Sequence, residues 1–376
     1  MNENRNPFRF SEPVTAKDLL DRDDEAALLL KRAESGDNSR LVAPRRYGKT
    51  SLLNRVVEDA RRAGWAAVYV DFFGVLTLDD IARRIERAYV SQLEGSAATW
   101  FAGVRRLLRP TLRLGGGPVP AGIEMTVDPQ AEPPLLERLA LPVRLHERDG
   151  TRTLVVFDEF QDILATKEQA DAVIRSEIQH HGDAASYVFA GSHVGMMREL
   201  FSDRRRAFYG QAAPVDLPPL SPADVAGYVS DRFQRSGRVI GAALDPLLDV
   251  SQGHPQRTML LAHVLWELTE EGEEVDEELW LSAFDEAMHY ARDELCATWS
   301  SLPTSQRRVL TAIAENREGI YAAGRRQGGS RGGAVRNAVE ALRDRGDVVE
   351  DETAVAGWRL VDPLLAVWVN EGRPGS

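Results

Sequence analysis

Cysteine is almost absent from this 376-residue chain: one thiol, Cys296, stands alone. A lone thiol excludes an internal disulfide framework and any zinc site built on cysteines. It suits a reduced compartment. Long apolar runs are missing as well. No stretch reaches the roughly eighteen consecutive apolar residues of a membrane-spanning helix, and no apolar signal core follows the first residues. The expectation is a cytoplasmic protein with no membrane partner. Positive charge is in deficit: 46 Lys and Arg against 58 Asp and Glu leave a formal net charge of -12. That argues against coating nucleic acid through bulk charge, while leaving room for a local basic patch. His180, His181 and His289 lack metal-ligand spacing. What remains is ordinary globular material, 43% hydrophobic and 28% charged, long enough for two or three domains.

The most informative stretch is Arg40-Leu41-Val42-Ala43-Pro44-Arg45-Arg46-Tyr47-Gly48-Lys49-Thr50-Ser51-Leu52-Leu53. Apolar residues run into a basic turn, then Gly-Lys-Thr, then an amphipathic helix, which is the order strand, phosphate-binding loop, helix. Backbone N–H groups at a helix N-terminus favour an anion. Lys49 would reach the β- and γ-phosphates of ATP, and the Thr50 hydroxyl would hold Mg²⁺. Pro44, Arg45, Arg46, Tyr47, Gly48 and Ser51 complete the candidate nucleotide loop. Ala43 stands where the pattern has its first Gly, so the turn must take a conformation open to Ala. A Gly-Lys-Thr that merely opens an ordinary helix is the alternative for this stretch alone.

Along the chain, residues 1–18 look like an extended arm. A helical run follows from Leu19, its acids suiting the positive end of the helix dipole. Strands are expected at about Ser39–Val42, Ala66–Phe73, Thr153–Glu159, Ser186–Ser192 and Pro214–Leu217. Helices fall at about Lys49–Ala63, after Thr77, at Leu135–His146 and near Lys167–His181. A hairpin over Leu112–Val127 reads as an insertion. Strands alternating with helices, with polar groups at the strand ends, indicate a parallel α/β sheet. Ser221–Leu295 reads as all helical, and its acidic run from Glu267 to Glu278 as a solvated helix face. Beyond Ser300 arginines dominate. Helices there, one of them capped by Ser330, then strands at Asp347–Glu350 and Ala356–Leu360 and a helix at Asp362–Val369, form a winged helix-turn-helix pattern.

Asp158-Glu159 is the second decisive feature. A carboxylate at a strand end next to the phosphate loop can hold Mg²⁺, and the next one can polarise the attacking water. Ser192 closes the following strand and would help place that water. Arg204, Arg205 and Arg206 follow; an arginine there could reach the phosphates of a neighbouring subunit, or simply be solvated. Gly253-His254-Pro255-Gln256-Arg257 breaks the chain before a helix, where His254 or Arg257 could touch the nucleotide or merely belong to a capped turn.

These stretches, with Asn6-Pro7-Phe8, Pro13-Val14, Leu19–Glu25, Ala190-Gly191-Ser192 and Trp358–Leu364, resemble the archaeal-type ATPases. These form part of the STAND branch of the AAA+ superfamily. The resemblance covers most of the chain outside residues 97–134. It implies an N-terminal arm (1–18), a five-stranded ATPase core (19–220), a helical lid (221–299) and a winged-helix domain (300–376). It assigns Lys49 and Thr50 to phosphate and Mg²⁺, Asp158 to Mg²⁺, Glu159 to water activation and Ser192 to the sensor position. Leu20, Arg22, His254 and Pro255 fall near the nucleotide. The upstream box departs from the family pattern, with Asp21 for Gly and Asp23 for Glu. Gly210-Gln211 stands where the family often has Gly-Arg, so the activating arginine is open.

The expected function is an Mg²⁺-dependent ATPase switch whose nucleotide state repositions the winged helix, which contacts double-stranded DNA or a protein. Arg325, Arg326, Arg331 and Arg336 are the candidate nucleic-acid contacts. The alternatives are an ATP-bound nucleic-acid-binding regulator with little hydrolysis, and a defence or signalling ATPase that forms nucleotide-dependent homo-oligomers.

Overall fold

The computed structural model describes residues 5–15, 18–93, 134–317 and 331–372. Five strands, β1 (Ser39–Val42), β2 (Ala66–Asp71), β3 (Thr153–Asp158), β4 (Ala185–Gly191) and β5 (Ala213–Val215), form one parallel sheet in the order β2-β3-β4-β1-β5. β3 and β4 are buried at every position, as strands covered on both faces must be. Around the sheet lie α1 (Asp23–Glu34), α2 (Lys49–Arg62), α3 (Leu78–Gln92), α4 (Pro134–Leu139), α5 (Leu141–Asp149), α6 (Ala170–Ile178) and α7 (Val194–Ser202).

Alternate strand residues point to opposite faces. Val155, Phe157, Tyr187 and Phe189 pack with residues of α3, α6 and α7. Leu154, Val156 and Val188 pack with Leu41 against α1 and α2. In α2, Leu52, Leu53, Val56, Val57 and Ala60 recur at helical spacing and are buried. The register sets Val42 of β1 beside Gly191 of β4, and Asp71 of β2 beside Asp158 of β3. The C-terminal ends of β1, β3 and β4 therefore share one edge, where the strand order changes direction. That is where open α/β sheets place ligands.

Beyond the sheet come α8 (Pro222–Arg235), α9 (Leu244–Ser251) and α10 (Pro255–Leu268), then the 25-residue α11 (Glu277–Ser301). α12 (Thr304–Ala314) and α13 (Arg331–Arg345) follow, with an antiparallel pair β6 (Val348–Glu350) and β7 (Trp358–Leu360) and a final α14 (Pro363–Asn370). One apolar cluster runs without a break from Val225, Phe233 and Leu261 through Ala287 and Leu295 to Leu310, Leu342 and Leu364.

Several expectations shift. α1 begins at Asp23, because Asp21 sits in the left-handed region (φ 50) and halts the helix there. The acidic run is not one helix face: Glu274 bridges Val239 outside any helix, and only Glu277 and Glu278 open α11. Leu135–His146 divides into α4 and α5, and α6 starts at Ala170 after a 3-10 turn over Phe160–Ala165. The described part of the arm has no helix or strand, and it packs on the helices beyond the sheet, with Phe8 buried against Tyr228 and Phe233. The proposed hairpin, the Ser330 cap, Arg325 and Arg326 lie outside the described residues.

Candidate active site

The loop between β1 and α2 solves the Ala43 problem by moving the strain. Left-handed backbone occurs at Arg46 (φ 64) and Gly48 (φ 83), and not at Ala43. Gly48 is the N-cap of α2 and supplies no side-chain cap. The helix thus begins with unsatisfied N–H groups, whereas Thr77, Ser221, Asp276 and Asp362 cap theirs. Lys49 is buried, and its Nζ lies 3.6 Å from Glu159 Oε1. The Ser51 hydroxyl accepts a hydrogen bond from the Val14 N–H at 3.1 Å, tying the arm to the loop.

Asp158 and Glu159 divide the work because β3 ends between them. Asp158 accepts from the Tyr69 hydroxyl, and the Thr50 hydroxyl lies 3.5 Å from its Oδ2. Burial, then the Asp158 charge, raises the Tyr69 phenol far above its usual range, so it remains a donor. Glu159 takes a left-handed conformation (φ 47). Such strain in a non-glycine residue persists only when its surroundings impose it, and it gathers at functional sites. Here the surroundings are visible: Glu159 Oε2 accepts from Ser192 Oγ at 2.7 Å and from Gln161 Nε2 at 2.6 Å. Burial pushes the Glu159 carboxyl up, but Lys49, Ser192 and Gln161 outweigh it and hold it below the ordinary glutamate range. Gly191 makes room for this cluster, since a Cβ there would fall 2.3 Å from Gln161 Oε1 and 2.6 Å from Met197.

Two clefts meet at this loop. One, of about 540 Å³, runs from Gly48, Lys49, Thr50 and Ser51 to an apolar end formed by Phe10, Val14, Leu19, Leu20, Leu220 and Met259. The other, of about 610 Å³, opens on the opposite flank, where Pro44, Arg45, Gln161 and Ser192 face α11 and the C-terminal segment.

No protein-family model matches the chain, and no curated protein matches it. Solved structures do. The Walker-type ATPase PABY2304 of Pyrococcus abyssi is similar over 97% of this chain and 99% of its own, at 17% identity and a TM-score of 0.68. The ORC2 protein of Aeropyrum pernix in its ADPNP–ADP complexes is similar over 98% and 96%, at 18% identity and a TM-score of 0.59. The likeness is one of fold: a parallel five-stranded α/β sheet with a P-loop, followed by a C-terminal helical segment.

Within that fold the candidate arginines separate. Arg205 pairs with Asp203, and Arg206 pairs with Glu199 and lies 3.6 Å from Asp171. Arg204, Arg205 and Arg206 line neither cleft. Arg257 does line both, but its guanidinium is 1% exposed and committed: it pairs with Asp362 at the start of α14 and, at 3.1 Å, with Glu294 of α11. Glu294 also pairs with Arg46 of the phosphate loop. His254 caps α10 by accepting from the Arg257 N–H, and its ring meets Tyr47 edge-on at 5.2 Å. Burial pushes its pKa down to about 4. Arg22 lines the first cleft, where its guanidinium donates to the Asp21 and Pro218 carbonyls and pairs with Glu25. Arg336 is exposed beside Glu340 on α13.

Sequence reasoning missed Tyr69, Gln161, Glu294, Asp362 and the cleft-lining arm residues Arg9 and Phe10. Only Tyr69 carried a signal: it lies two residues before Asp71, on the strand next to the one that ends in Asp158.

Proposed function

We propose that this chain binds Mg²⁺-ATP and hydrolyses it as a nucleotide-driven switch. The observation that carries the proposal is the ionised Glu159, held by Ser192 and Gln161 next to Lys49 and one residue from Asp158. A cleft with a cationic, N–H-rich end and an apolar end suits a nucleotide. Thr50 and Asp158 fit Mg²⁺, which takes one or two protein oxygens and keeps phosphate and water oxygens for the rest. When bound, the ion would neutralise phosphate charge. Lys49 binds phosphate, Glu159 orients water and accepts its proton, and Ser192 fixes Glu159.

Lys49→Ala is expected to abolish binding of a fluorescent ATP analogue. Glu159→Gln is expected to bind normally while turnover falls by orders of magnitude. Turnover in Glu159→Gln equal to that of the unsubstituted protein would remove the assignment.

The C-terminal segment reads as a winged helix whose position follows nucleotide state through α11. Its partner in this reading is double-stranded DNA, met by Arg336 on α13, or a protein. Binding to duplex through phosphates would weaken linearly on a log–log salt plot. No binding at low salt would favour protein docking. Sedimentation with and without ATP analogue tests for a nucleotide-dependent homo-oligomer.

A further inference from the structure

ATP hydrolysis concentrates negative charge on the γ-phosphate oxygens and the β,γ-bridging oxygen, and a guanidinium placed there speeds the reaction by about a thousandfold or more. Arg204, Arg205 and Arg206 line neither cleft. Within one chain, that cation has to come from a residue that does line a cleft.

The cleft on the Ser192 flank contains four arginines: Arg45, Arg46, Arg257 and Arg345. Three are occupied. Arg46 pairs with Glu294, Arg257 with Asp362 and Glu294, and Arg345 with Asp347 at 2.7 Å. Arg45 is exposed and, among the described residues, has no ion pair or hydrogen bond. It belongs to the phosphate loop itself, four residues before Lys49, and shares the cleft with Ser192 and Gln161, the two side chains that hold Glu159. It does not line the cleft that leads to the apolar end. An uncompensated guanidinium is thus carried by the turn between Pro44 and Gly48, in the same cleft as the two side chains that hold the water-orienting carboxylate.

We propose that Arg45 is a catalytic residue that supplies the transition-state cation in cis. The inference rests on the ATPase reading above. Water forms its bond to the γ-phosphorus as the bond to the bridging oxygen breaks. The proton goes to Glu159, the electron pair leaves with the β-phosphate oxygen, and Arg45 neutralises the charge that builds on the transferring group. Its five N–H donors suit phosphate oxygens. A residue of the loop needs no second subunit to reach them.

The test uses the full chain with Arg45→Gln and Arg45→Lys. Affinity for a non-hydrolysable ATP analogue is expected to stay within about threefold. Turnover and affinity for ADP with aluminium fluoride are both expected to fall at least about a hundredfold in Arg45→Gln, with Arg45→Lys intermediate. Mixing Arg45→Gln with Glu159→Gln is expected to restore nothing, since neither chain has a complete site. Recovery in the mixture would overturn the cis assignment. Aluminium fluoride affinity unchanged in Arg45→Gln would overturn the catalytic role, even if basal turnover is too slow to follow. Failure of the unsubstituted protein to bind ATP analogue would instead bring down the ATPase reading.

Discussion

Asp362→Asn isolates one charge at the junction between α10, α11 and α14. Arg257 is 1% exposed, and Asp362 meets it through both carboxylate oxygens, with Nε to Oδ1 at 3.0 Å. Removing one partner of a buried pair costs about 3–5 kcal/mol, because the remaining charge stays buried. Glu294 still contacts Arg257, but is shared with Arg46, which puts the expected loss near the lower end, about 3 kcal/mol. Asp362 also caps α14, accepting from the Leu364 N–H at 3.0 Å. Asparagine keeps that cap, whereas Asp362→Ala forfeits it for about 1 kcal/mol more. Urea unfolding at neutral pH, followed by tryptophan fluorescence and by amide exchange over Pro363–Asn370, measures both. Burial raises the Asp362 carboxyl, but Arg257 outweighs it and holds the group below its ordinary value. Its stabilisation is therefore present above the unfolded pKa and lost as pH falls through the lower folded value. Asp362→Asn should lose that acid-side dependence. A loss under about 1 kcal/mol, or identical losses for Asn and Ala, would refute the reasoning.

Two further outcomes follow from the same region. His254 is neutral in the folded state down to about pH 4, while an unfolded histidine protonates near its ordinary value of 6.5. The unfolded chain then binds the extra proton, so stability should rise with pH between those limits; His254→Asn, which keeps a capping oxygen, should flatten that slope in urea titrations. Gly253 has φ 69, and a Cβ there would fall 2.3 Å from the Leu220 carbonyl oxygen. Gly253→Ala should lower stability by more than about 2 kcal/mol, and an unchanged urea midpoint would contradict the close approach.

Much of the sheet was legible because a buried parallel strand leaves an unbroken apolar run, as Leu154–Phe157 does before Asp158-Glu159. Helix starts were legible where a side chain caps, as at Thr77 and Ser221. The loop between β1 and α2 was legible as a turn from strand into helix, though not in its conformation. Ala43 signalled that the strain must lie elsewhere, but nothing local says that Arg46 takes it. The ion pairs resisted reading for a different reason. Arg257 and Asp362 are 105 positions apart, and a charged residue on a helix looks solvated until a distant element covers it. Arg22 shows the converse: its place by the cleft was expected, but not its bonds to the carbonyls of Asp21 and Pro218.

The unbroken apolar cluster from α8 to α14 has a mechanical consequence. A segment that shares one core with its neighbours transmits tilt instead of absorbing it. α11, with 25 residues, is about 37 Å long. It is pinned to the phosphate loop at Glu294, near one end, by Arg46. A rotation of about 10° about that pin would carry its far end, some 17 residues or about 25 Å away, through about 4 Å. Under the proposed function the helix would be a lever, with a fulcrum where phosphate and Glu294 would compete for the same arginine.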